Sequence, residues 1–160
     1  MLHPAVAHFA VSLPIISLVL GLMYLMKPSE VMSKISSRFL IFTAIFIVIA
    51  YFSGEEDAEE VFDFLSSDAK ALLGQHAKLG LYLAISMPVV ALIRFYACKT
   101  SKFKIELFSI VLLAVLSAAT VYQGKMGGEL TFDFGVNVKG FTEGQACIAE
   151  AKAMDDDEDE

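Results

Sequence analysis

The sequence predicts an all-α membrane protein: a four-transmembrane-helix bundle with an interfacial amphipathic helix and a short extended C-terminal segment. Three observations carry this expectation. Apolar residues make up 56% of the 160, and the mean hydropathy of +0.63 is too high for an ordinary soluble domain of this length. Four separate stretches are long enough to cross the hydrocarbon core. The formal charge of −7 is concentrated in residues 55–68 and 155–160 rather than spread over a surface.

The first span, 5–26, holds no Lys, Arg, Asp or Glu over 22 residues, a length of roughly 33 Å as a helix. No basic residue precedes it and Lys27 follows it, so it reads as a retained span rather than a cleaved signal. The second span is 35–53, with Arg38 snorkelling near its start and Gly54 expected to close it. A short connection, 27–34, makes these two helices antiparallel neighbours. The third span is 73–97, with Lys78 and Arg94 near its ends and Pro88 predicting a kink. The fourth is 105–123, with Glu106 near its start. Arg94 and Glu106 lie at the same end of neighbouring spans, where separate snorkelling is favoured over a pair.

Between the second and third spans, Ala58, Val61, Phe62 and Leu65 recur at helical spacing opposite a strongly acidic face, the pattern of an interfacial helix. Ser66 or Ser67 is expected to cap the helix that runs on into the third span. Gly124, Gly127 and Gly128 are expected to break the fourth helix, and 130–138 alternates apolar and polar residues like an extended segment. The domain thus covers 1–140, and the acidic tail 141–160 is expected to be disordered. With no tryptophan, interfacial anchoring falls to Tyr24, Tyr51, Tyr96 and Tyr122.

Basic residues near the span ends divide seven (Lys27, Lys34, Arg38, Arg94, Lys99, Lys102, Lys104) against five (Lys70, Lys78, Lys125, Lys139, Lys152). The bias puts the two short connections inside and both termini outside, which in a bacterial inner membrane is the periplasm. Cys98 and Cys147 then fall on opposite faces and cannot form an intramolecular disulfide. Without a basic stripe, nucleic acid is not a partner. No phosphate loop, nucleophile elbow or metalloprotease motif occurs. Nor is there a charge near the centre of a span, as an ion or proton pathway would require.

The unusual polar residues converge on the outer end: His3 and His8 at the start of the first helix, Glu55 and Asp57 after the second, His76 in the third, Met126 after the fourth. His3 and His8 are five apart, about 140° around a helix, so they do not share a face. Pro4 in the first helical turn leaves His3 outside the helix. Two neutral imidazoles facing each other across a bundle can ligate both sides of one haem iron, and the first reading is one b-type haem held by His8 and His76. A second joins His3, His8, His76 and Met126, or the nearby acids, into a copper or zinc site. In the third, each histidine is hydrogen-bonded to backbone or to Glu55 or Asp57, and Met126 fills a gap.

Four segments resemble a known family. They are Leu2-His3-Pro4-Ala5-Val6-Ala7-His8-Phe9, Ser53-Gly54-Glu55-Glu56-Asp57-Ala58-Glu59-Glu60, Gly74-Gln75-His76-Ala77-Lys78-Leu79-Gly80, and Gly127-Gly128-Glu129-Leu130 with Phe134-Gly135-Val136-Asn137-Val138. Their order over residues 1–140 is similar to that of the bacterial predicted membrane proteins grouped as domain of unknown function 2231. The chain departs from that pattern at Ala10, where the family commonly has Pro. It departs again at Phe132-Asp133-Phe134 and Asn137, where a Tyr before a charged residue and Gly-Val-Gly-Val are usual. The resemblance implies four membrane helices and a histidine-rich outer end, and supplies no reaction. Its layout is similar to small membrane cytochromes b. On that analogy His3, His8 and His76 carry over, with Gly54 and Glu55 supporting them by packing and hydrogen bonding.

The expected function is a redox module that passes electrons between a soluble periplasmic carrier and the membrane, its acidic outer surface docking a basic partner such as a c-type cytochrome. The alternatives are a copper- or zinc-binding membrane protein built on the same histidines, and a non-catalytic accessory subunit of a larger membrane complex. In the last, Gly21, Ala44, Ala84, Ala91, Ala114 and Ala118 would pack against other helices.

Overall fold

The computed structural model describes residues 3–136 and residue 138. Helix α1 is His3–Met26, α2 is Glu30–Val61, a single 3-10 turn covers Phe62–Phe64, α3 is Ser67–Thr100 and α4 is Phe103–Phe132; no strand occurs among the described residues. At 1.5 Å per residue the four helices are roughly 36, 48, 51 and 45 Å long. All four are long and apolar enough to cross a membrane. Each packs against the next and α4 closes on α1, so the bundle is a ring in which α1 lies diagonal to α3 and α2 to α4.

Local chemistry sets the helix ends. Ser29 and Ser66 each accept a hydrogen bond, 3.2 Å long, from a backbone N–H three residues on, at Met32 and Ala69, and so start α2 and α3. Ser101 stops α3 in a left-handed conformation (φ 52°). Beyond α4, Gly135 takes φ 66°, where a side chain would be strained. The Val136 N–H then reaches back to the Leu130 carbonyl at 2.9 Å, folding Val136 onto Leu130 and Leu73.

The distribution of polarity is that of a protein in lipid. Outward faces carry Phe9, Val19, Phe52, Tyr82, Leu92 and Val115, while Ser17, Thr43, Ser109, Ser117 and Thr120 are buried inside. Ser17 and Thr43 share a hydrogen bond of 2.7 Å between α1 and α2, and Ser117 of α4 donates to the Pro14 carbonyl of α1 at 3.2 Å. Where packing gains little from the hydrophobic effect, such bonds and close backbone approach hold helices together. A central apolar layer, including Leu40, Ile47, Leu83, Met87, Val90 and Leu113, fills the middle of the bundle.

Several boundaries depart from the sequence expectation. Gly54 does not close α2, which continues to Val61, so the acidic amphipathic stretch is the end of that helix rather than a separate interfacial one. Gly124, Gly127 and Gly128 lie inside α4, and 130–132, expected to be extended, are helical. His3 is the first residue of α1 rather than outside it. Tyr24 is buried and does not serve as an interfacial anchor. Cys147 and the tail 141–160 lie outside the described residues.

Candidate functional site

Two polar layers interrupt the apolar interior, one at each end of the bundle. The first is the histidine layer. Along α2 it falls between Ile47 of the central core and Ala58 and Val61 of a small apolar cap. Along α3 it falls between Leu73 of the cap and Leu83 of the core, and along α4 between Leu113 and Leu130. The cap, built on Leu73, Leu130 and Val136, closes the bundle end over it.

Within this layer His3 Nδ1 lies 2.9 Å from the Ala50 carbonyl of α2. A carbonyl only accepts, so Nδ1 carries a proton, and in the neutral ring the lone pair is on Nε2. The ring lies flat against α2 because residue 54 is glycine: a Cβ there would come within 2.9 Å of His3 Cε1. On the diagonal helix, His76 is held in the same manner. A Cβ on Gly127 of α4 would stand 3.3 Å from His76 Cε1, and Gln123 donates to the His76 carbonyl at 2.9 Å. The His76 Nδ1 is buried with no hydrogen-bond partner among the described residues. His3 on α1 and His76 on α3 thus lie in the same layer of the bundle, on diagonal helices and each against a glycine of a neighbouring helix.

The other site residues expected from sequence are placed differently. His8, about 7.5 Å further along α1, is exposed on the outer face, and its Nδ1–H donates to the Pro4 carbonyl of its own helix at 2.6 Å. Of the two α1 histidines it is therefore His3 that lies in the layer of His76. Rotation explains this: with His3 turned inward, a residue about 140° away turns out. Glu55 is exposed and accepts from the Tyr51 hydroxyl. Asp57 is buried one helical turn beyond Ser53 on the inner face of α2, and Met126 is buried beside Gly127. Among the described residues no group of three or more His, Cys, Asp and Glu is gathered to hold a metal ion.

The second layer lies at the opposite end and draws on all four helices. Arg94 Nη1 of α3 is 3.1 Å from Glu106 Oε2 of α4, and both side chains are 2% exposed. Arg94 Nη2 donates to Ser36 of α2 at 2.7 Å, and Ser33 donates to Glu106 at 2.6 Å. The Tyr24 ring of α1 stacks 4.7 Å from the guanidinium carbon. Sequence reasoning missed this network by assigning Arg94 and Glu106 to separate snorkelling. The signal available was Ser33, Ser36 and Ser37, hydroxyls three and four apart at the matching end of α2.

Fold and layers together define a four-helix membrane bundle with a polar girdle at either end. The chain belongs to the DUF2231 family of predicted membrane proteins, whose family model matches residues 1–140. Neither a curated protein nor a solved structure matches it.

Proposed function

We propose that the chain is a membrane redox module that binds one b-type haem through His3 and His76 at the histidine end of the bundle. The observation that carries this reading is the placement of two imidazoles from diagonal helices in one layer at the same end of the bundle, each seated on a glycine of the adjacent helix. A ligating histidine characteristically donates its other ring N–H to a carbonyl or carboxylate, as His3 does to Ala50. His76 contributes a buried ring nitrogen that has no partner among the described residues.

The donor set favours haem over a bare ion. Zinc and copper ask the protein for three or four ligands, whereas a porphyrin supplies four nitrogens and asks for two. Among the described residues no three His, Cys, Asp or Glu are gathered. Bound haem would supply an iron that gains and loses one electron, and the protein's part is to fix two axial ligands and keep the site dry beneath the Leu73–Leu130–Val136 cap.

The exposed carboxylates Glu55, Glu56, Glu59, Glu60 and Asp63 ring the same end and would steer a basic soluble carrier to it. The excess of basic residues at the Arg94 end orients that end inward, which turns the histidine end toward the periplasm if the host is bacterial. The test is the absorption spectrum of the full chain, expressed with haem supplied and purified in detergent. A stoichiometric Soret band that shifts on reduction is expected. A colourless protein under those conditions overturns the reading, and stoichiometric copper or zinc in it replaces haem with a metal site.

A further inference from the structure

A cleft of about 290 Å³ opens between the start of α2 and the end of α3, at the end of the bundle opposite the histidines. Lys34, Arg38 and Lys99 line it, with Glu30, Ser37 and Ser101. Glu30 pairs with Lys34, but among the described residues no carboxylate pairs with Arg38 or Lys99. The cleft therefore keeps two cations with no carboxylate partner, Lys99 lying 5.6 Å from the centre of the Phe95 ring. Its lining also includes a hydroxyl in want of a partner: Ser37 is 1% exposed, and its Oγ has no hydrogen-bond partner among the described residues. A buried hydroxyl left unbonded costs free energy that an acceptor placed in the cleft would recover.

We propose that this cleft binds the phosphate headgroup of an anionic phospholipid. Two cations on one concavity, with a buried unpartnered hydroxyl in its wall, suit a tetrahedral oxyanion, and a guanidinium such as that of Arg38 can meet two of its oxygens at once. Position selects the lipid over free phosphate. The cleft sits at the ends of two spans, where headgroups lie, and Phe95 forms part of its wall. Farther along the same helices toward the bilayer centre, Phe42, Val89 and Leu92 are exposed apolar side chains against which acyl chains can lie. Basic pockets between spans recognise anionic headgroups in this manner. The inference does not depend on haem.

The full chain in a neutral detergent, titrated with phosphatidylglycerol and separately with phosphatidylcholine and followed by native mass spectrometry, tests it. Saturable retention of one phosphatidylglycerol and none of phosphatidylcholine is expected. Arg38→Gln with Lys99→Gln should weaken retention about ten-fold or more, and Ser37→Ala should weaken it with no change in charge. Lys27→Gln with Lys104→Gln, removing two cations at the same end but outside the cleft, should leave it unchanged. Helical circular dichroism and a single gel-filtration peak establish that each variant is folded. Equal retention of both lipids, equal losses from the two double variants, or displacement of the lipid by an equimolar amount of inorganic phosphate would each overturn the proposal.

Discussion

Arg94 on α3 and Glu106 on α4 form an ion pair of 3.1 Å sealed from solvent by all four helices. Burying two charges is costly, and the pair persists because every neighbour is complementary: Ser36 on the guanidinium, Ser33 on the carboxylate, Tyr24 against the cation. Removing one partner strands the other. Glu106→Gln or Arg94→Gln should each lower stability by about 3–5 kcal/mol, read as the midpoint of denaturation in detergent. Arg94→Gln combined with Glu106→Gln should be much less harmful than the two single losses summed. Additive losses in that cycle would mean that the two charges do not act as a pair.

The glycines of the bundle separate into two kinds, and alanine substitution distinguishes them. Gly54→Ala drives a methyl into the His3 imidazole and should cost about 1–3 kcal/mol through overpacking. Gly74 has nothing within 4 Å of its would-be Cβ and lies inside α3, so Gly74→Ala should be neutral or stabilise by about 0.5–1 kcal/mol. Thermal unfolding of the two variants side by side checks this. A stable Gly54→Ala would mean that His3 does not rest on α2.

These two relationships also mark what was legible in the sequence. The four spans were, because each is an unbroken apolar run and hydropathy needs no knowledge of neighbours. The Ser66 cap was legible for the same reason, being a purely local bond. The helix ends were not. Gly54, Gly124 and Gly127 carry the composition of breakers, but in the bundle they are places where a side chain from another helix, His3, Val11 and His76 respectively, comes within 3.3 Å of where a Cβ would stand. Only tertiary contact distinguishes a glycine that stops a helix from one that admits a neighbour.

The candidate site was legible in part. The sequence indicated that His3 and His8 cannot share a face, but which of them turns inward depends on how α1 is rotated in the ring. A helix starting at Pro4 would have left His3 outside and favoured His8, whereas α1 starts at His3 and its rotation turns His3 inward and His8 out. The Arg94 network was hidden for a similar reason, since its members come from four helices and lie in four separate segments of sequence.

Topology provides a third expectation. The connections at residues 27–29 and 101–102 lie at one end of the bundle and the turn at Phe62–Phe64 at the other. In a cysteine-free background, single cysteines at positions 29 and 101 should react with a membrane-impermeant thiol reagent from one face of sealed vesicles, and a cysteine at position 63 only from the opposite face. Labelling of positions 29 and 63 from the same face would contradict four crossings.

The proposed pairing of His3 with His76 on one haem is tested most directly by the visible spectrum of three purified variants, His3→Ala, His76→Ala and His8→Ala, each confirmed as helical and monodisperse. The expected result is loss of the low-spin Soret and α bands in the first two and a spectrum close to the parent's in the third, because His8 faces outward with its ring bonded to its own helix. Loss of the bands in His8→Ala with retention in His3→Ala would contradict it.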